Sequence, residues 1–125
     1  MQVWHIEPVE SVAVDHGQLS LLYAQLGQSG AEDVVCRALE ELAMRLSQSE
    51  AHYRGRDWAR LRKNARSLIA IAEQLGMSAL SRVAGDVTTA IDQGDANAVS
   101  ATLSRLLRVG ERSLTVVWDI QDFAE

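Results

Sequence analysis

The strongest constraint in this chain of 125 residues is the run from Asp57 to Gly76. Within it Trp58, Leu61, Ala65, Leu68, Ala72 and Leu75 recur at alternating steps of three and four. That spacing draws one apolar seam down a helix and leaves the remaining surface polar, so the seam must be hidden inside a bundle. Asp57 stands where an N-cap carboxylate meets the first free amides, and Gly76 where a left-handed residue commonly closes a helix.

The same periodicity recurs on both sides. Val35, Leu39, Leu42, Leu46 and Tyr53 predict a helix from about Ala31 to about Tyr53. Leu80, Val83, Val87, Ala90 and Ile91 predict one from about Ser78 to Gln93, and Val99, Leu103, Leu106, Leu107, Leu114 and Val117 a last one reaching toward Trp118. Gly110 weakens that last helix by up to ~1 kcal/mol relative to alanine. A shorter leading helix, capped by Asp15 and carrying Leu19, Leu22, Tyr23 and Leu26, ends at Gly27, and Gly27-Gln-Ser-Gly30 reads as a loop. Short connections between amphipathic helices give an all-α fold, an antiparallel four-helix bundle with a short leading helix. Its expected core holds Trp58, Leu61, Leu68, Leu75, Leu42, Leu46, Val83, Val87, Leu103 and Leu106. Residues 1–14, β-branched around Pro8, are expected to form an extended N-terminal segment lying across the bundle, with Trp4 and Ile6 as anchors. Residues 15–125 are expected to form the helical domain.

An apolar fraction of 47% in a chain of this length supports one core without staples. The single cysteine, Cys36, forms no internal disulfide and is most simply a small core residue in a reducing compartment. No apolar run approaches the ~20 residues of a membrane span, and Met1–Pro8 lacks the pattern of a signal peptide. The expected location is cytoplasmic, with no membrane partner. The net charge of −5 is uneven: residues 51–70 carry six basic and one acidic side chain, against two and eight in residues 1–50 and four and eight in residues 71–125. Arg54, Arg56, Arg60, Arg62, Lys63 and Arg66 lack interleaved aromatics beyond Tyr53 and Trp58. They read as a solvated face balanced by acidic neighbours, not as a nucleic-acid surface.

The central run also resembles a family. Histidine phosphotransfer (HPt) domains carry a pattern close to D-W-x-x-L-x-x-x-A-H-x-L-K-G, then five variable or small residues, then G-x-x-x-L. Asp57, Trp58, Leu61, Ala65, Leu68, Leu75, Gly76 and Leu80 fall in its register without a gap. The resemblance covers roughly residues 15–114 and is specific in 57–80. At its chemical positions the chain departs: Arg66 stands for the phosphorylated histidine, Ile69 for the following lysine and Ala70 for the small glycine.

An HPt resemblance implies a signalling module of a two-component phosphorelay whose partner is a response-regulator receiver domain or a histidine kinase. Arg66 denies it the acceptor, because a guanidinium stays protonated and has no free lone pair at neutral pH. The expectation is therefore a non-phosphorylatable binding module, not an enzyme. It would use Arg62, Lys63, Arg66, Ile69, Ala70 and Glu73 as the partner face, with Ile69 adding an apolar contact. His52, near the end of the long helix before Asp57, is the alternative acceptor. A scaffold or homodimer unrelated to phosphorelay is the alternative function. His5, His16 and His52 lack the spacing of metal ligands, and Asp57 and Glu73, ~24 Å apart along a helix, cannot share a substrate. No metal or cofactor is expected.

Overall fold

Carboxylates open three of the four helices. In a computed structural model that describes residues 14–124, and their side chains as far as residue 120, helix α1 spans His16–Arg54, α2 Trp58–Gln74, α3 Ser78–Asp92 and α4 Ala96–Ala124. Asp15 Oδ1 accepts from Gly17 N at 2.9 Å, Asp57 Oδ1 from Arg60 N at 3.1 Å and Asp95 Oδ1 from Ala98 N at 3.0 Å. Each satisfies an amide that its helix leaves free. Helix α3 starts after Met77 with no side-chain cap.

The three connections share one closing geometry. Asp57 N donates to His52 O at 2.9 Å, Met77 N to Ala72 O at 2.8 Å and Asp95 N to Ala90 O at 3.2 Å. This 6→1 bond requires a left-handed residue just before its donor. Gly76 (φ 73°) and Gly94 (φ 66°) fill that position without strain, but Arg56 does so at φ 53°. An L side chain there costs roughly 1–2 kcal/mol, part of which glycine returns through its larger unfolded-state entropy. Arg56→Gly is therefore expected to raise stability by about 0.5–1 kcal/mol, seen as a higher urea midpoint. A lower midpoint would contradict this account of the turn.

Helix α1 is broken inside. Gly27 has φ 72° and ψ 173°, so the leading part, 16–26, meets the main part, 28–54, at an angle. The expected four-residue loop shrinks to this one glycine, because Gln28 to Gly30 already belong to the next helical turn. In the leading part Leu19 is buried and Leu22 packs on the core, while Leu26, expected on the seam, is about half exposed. Asp15 N donates to Gly76 O at 2.7 Å and ties the start of α1 to the α2–α3 turn. Val14 packs on the core; the rest of the expected extended segment, with Trp4 and Ile6, lies outside the described residues.

Each helix touches its two neighbours in the order α1, α2, α3, α4 and back to α1, and no diagonal pair meets. This is an all-α, antiparallel four-helix bundle. Leu42, Leu46, Leu61, Leu68, Leu75, Val83, Val87, Leu103 and Leu106 all lie in one buried cluster. Trp58 does not: it is 39% exposed. As the first residue of α2 it sits at the end of the bundle, beside Ile91, Gly94, Ala96 and Val99, and it meets Tyr53 edge-on at 5.8 Å. Cys36 is exposed as well, since Val35, Ala38, Leu39 and Leu42 take the inward positions of α1. Gly110 is buried where α4 crosses α1, and a Cβ there would stand 2.6 Å from Leu46 Cδ1. The glycine that weakens α4 locally lets the two helices close. Helix α4 runs past Trp118 to Ala124, and among the described residues no helix is long and apolar enough to cross a membrane.

Candidate functional site

Burial of Leu61, Ala65, Leu68 and Ala72 fixes which side of α2 faces the core, and the opposite side faces water. Ala59, Arg62, Lys63, Arg66, Ser67 and Ala70 line an open depression of about 530 Å³ on that outer side. They share it because residues three and four apart are neighbours on a helix surface. Its lining holds three cations and no carboxylate.

Of the six basic residues read as one balanced face, only three are balanced. Arg54 pairs with Glu50, Arg60 with Asp57 at 3.4 Å, and Arg62 with Asp92. The last pair is a two-pronged bridge from α2 to α3, with Nε to Oδ1 at 2.7 Å and Nη2 to Oδ2 at 3.0 Å. The hydrogen bond from Arg62 holds the Asp92 carboxyl below its ordinary range, the charges of Arg62 and Arg66 add to that, and burial opposes it. Arg62 is raised in turn, first by its hydrogen bond to Asp92. A depressed carboxylate contributes stability above its unfolded pKa and loses it as pH falls through the folded one, so this bridge weakens only in acid. Both partners are solvent-exposed, which keeps its contribution small. Lys63 and Arg66 are exposed, and among the described residues neither side chain makes an ion pair or hydrogen bond, although the charge of Arg66 acts on Asp92.

The structure brings together four of the six expected partner residues: Arg62, Lys63, Arg66 and Ala70. Ile69 does not line this depression: it is half-buried and packs on the core cluster, next to Leu68 on the flank facing a neighbouring helix. Glu73 does not line it either. It belongs to a different depression, at the α2–α3 turn, with Asp15, Gln18, Gly76, Ser78, Ser81 and Arg82, and Ser81 Oγ donates to its Oε1 at 3.5 Å. Two further turns of helix carry it away from Arg66. His52 is half-buried in the last turn of α1 and does not line the Arg66 depression. Among the described residues no three His, Cys, Asp or Glu side chains come together.

Two features beneath this face were not visible in the spacing. Ser67 and Ala59 complete the depression, as helical neighbours of Lys63 and Arg62. Asn64, on the buried side, donates through Nδ2 to Arg45 O at 2.6 Å and Ser49 Oγ at 2.7 Å, and its Oδ1 accepts from Arg45 Nη1 at 2.9 Å. Arg45 is held further by Glu41 at 2.9 Å, and Ser49 Oγ donates to Arg45 O at 2.8 Å. Every polar atom of the Asn64 amide oxygen–nitrogen pair thus has a partner, so the cluster costs little and sets how α2 is rotated against α1. An asparagine three residues after Leu61, on the apolar side of the helix, was the available signal.

No family model, no curated protein and no solved structure matches this chain.

Proposed function

We propose that this protein is an HPt-like signalling module that cannot accept phosphate and binds a receiver domain or a histidine kinase through the α2 face around Arg66. One observation carries the reading. The residue that stands in the acceptor position of the resembling pattern is exposed on a helix face, without an ion-pair partner among the described residues, between Lys63 and Ala70. A histidine there would be a nucleophile open to solvent; an arginine there is a fixed positive charge. Such a charge suits the acidic pocket in which a receiver carries its own phosphoryl group, and it permits binding without transfer.

Arg66→Glu is expected to weaken a receiver or kinase partner at least tenfold while leaving the melting temperature nearly unchanged. An exposed helical charge alters folding by no more than ~0.5 kcal/mol, whereas like charges brought together at an interface cost several-fold more. The wild-type chain is expected to take up no acid-labile label from kinases that phosphorylate ordinary HPt domains. Label that disappears in His52→Ala would establish a displaced acceptor instead. A chain that recovers no receiver or kinase, and whose Arg66→Glu variant behaves as wild type, would be a scaffold. For that reading the groove between α1 and α4, lined by Cys36, Leu39, Ala43, Leu114 and a 55% exposed Trp118, is the surface to probe for self-association.

A further inference from the structure

Helix α1 turns back on itself at a single residue. Gly27 has φ 72° and ψ 173°, a combination essentially open to glycine alone. A Cβ added there would meet nothing within 4 Å, so glycine is needed for its backbone conformation and not for space. Residues 16–26 and 28–54 are helical on either side, and ordinary helical angles at residue 27 would join them into one rod.

The bent and straight forms cannot bury the same faces within one copy. Leu19 and Val35 are both buried, yet at sixteen positions apart they would stand ~160° from each other around an unbroken helix. Leu22, which also packs on the core, falls on the Leu19 side. The bend brings both faces inward, and the leading part returns far enough for Asp15 N to reach Gly76 O at 2.7 Å. Within 16–26 only Leu19 is buried, and Leu26, beside the bend, is 48% exposed. A helix this short is not stable alone in water, so the leading part needs a surface to pack on.

We infer that Gly27 is the hinge of a domain exchange, in which α1 straightens and the leading part of each copy docks at the α2–α3 turn of a second copy. The occupant is identical to the one seated there in the structure. The packing of Leu19 and Leu22 and the bond from Asp15 to Gly76 are therefore made again, between copies instead of within one. Two differences favour the exchanged form. The glycine-only turn disappears, and the exposed Leu26 is brought beside its counterpart where the two straightened helices pass. The freedom lost when two copies join opposes both, so protein concentration sets the balance. The outer face of α2 takes no part, and the inference does not depend on what binds there.

The test uses the full chain. Gly27→Ala strains the turn but suits a continuous helix, and is expected to tighten dimer formation by at least about tenfold in sedimentation equilibrium. Gly94→Ala, strained by a φ of 66° but remote from the hinge, is expected to associate as wild type does. Isotope-labelled and unlabelled Gly27→Ala chains are then mixed in urea and refolded together. Isotope-filtered NMR is expected to show NOEs between Asp15 of one copy and Gly76 of the other. Wild type refolded at millimolar concentration is expected to give the same cross-copy NOEs with no substitution at the hinge. Adding Leu19→Ser to Gly27→Ala is expected to return the chain to a monomer, with circular dichroism showing that the other helices remain. A folded Gly27→Ala chain that stays monomeric, a dimer whose Asp15–Gly76 NOEs lie within one copy, or a dimer that survives Leu19→Ser would each overturn the exchange.

Discussion

Leu68→Ala is expected to destabilise the folded chain by about 2–5 kcal/mol, the range found when a buried leucine is cut to alanine. Leu68 has no exposed surface and lies in the cluster shared by all four helices, midway along α2. Removing its terminal carbons forfeits their transfer energy and leaves a cavity that rigid neighbouring helices close only in part. Against a typical total of ~5–15 kcal/mol for a domain, that is a large share. Urea unfolding followed by circular dichroism should show a lower midpoint with an unchanged slope. A loss below 1 kcal/mol would mean that α2 does not pack as described. The same experiment bears on function, since the face around Arg66 is positioned only by what α2 buries on its other side.

Gly76→Ala is expected to be the most damaging glycine replacement, because two independent costs coincide there. Its φ of 73° lies in the left-handed region, which costs an L residue roughly 1–2 kcal/mol. An added Cβ would also stand 2.6 Å from Asp15 O, on the backbone that pairs with Gly76 O. Backbone cannot rotate aside as a side chain can, so the start of α1 must move. Gly94 supplies the control: its φ is 66°, yet a Cβ there meets nothing within 4 Å. Gly94→Ala should show the conformational cost alone, roughly 1–2 kcal/mol. Gly76→Ala should exceed it and should speed hydrogen exchange in the leading part of α1, from Gly17 to Leu22. Equal losses at the two glycines would show that the contact with Asp15 contributes nothing.

Elements that depend on neighbours in the chain were legible in the sequence. Helical periodicity is a local property, so the spacing of Leu61, Leu68 and Leu75, or of Leu42 and Leu46, already implied their common burial. Caps are equally local: Asp15, Asp57 and Asp95 each bond an amide two or three residues on, and Gly76 and Gly94 close their helices where a left-handed residue is needed. The outward direction of Arg66 follows from the same geometry, as do Lys63 and Ala70 beside it.

What required the tertiary structure is everything settled by the other helices. The seam ran through Trp58, but coverage depends on the neighbouring helices, and at the bundle's end Tyr53, Ile91 and Val99 flank it without closing over it. Ile69 and Glu73 continued the expected face in sequence, yet the first turns toward the core and the second joins the α2–α3 turn. Arg62 and Asp92 are 30 residues apart, and Arg45 and Asn64 are 19 apart. No local pattern announces such pairs, because they form only when two helices are set side by side at one rotation. Of the six cations between residues 51 and 70, Arg54 and Arg60 pair locally, that rotation pairs Arg62 with Asp92, and among the described residues Arg56, Lys63 and Arg66 form no ion pair.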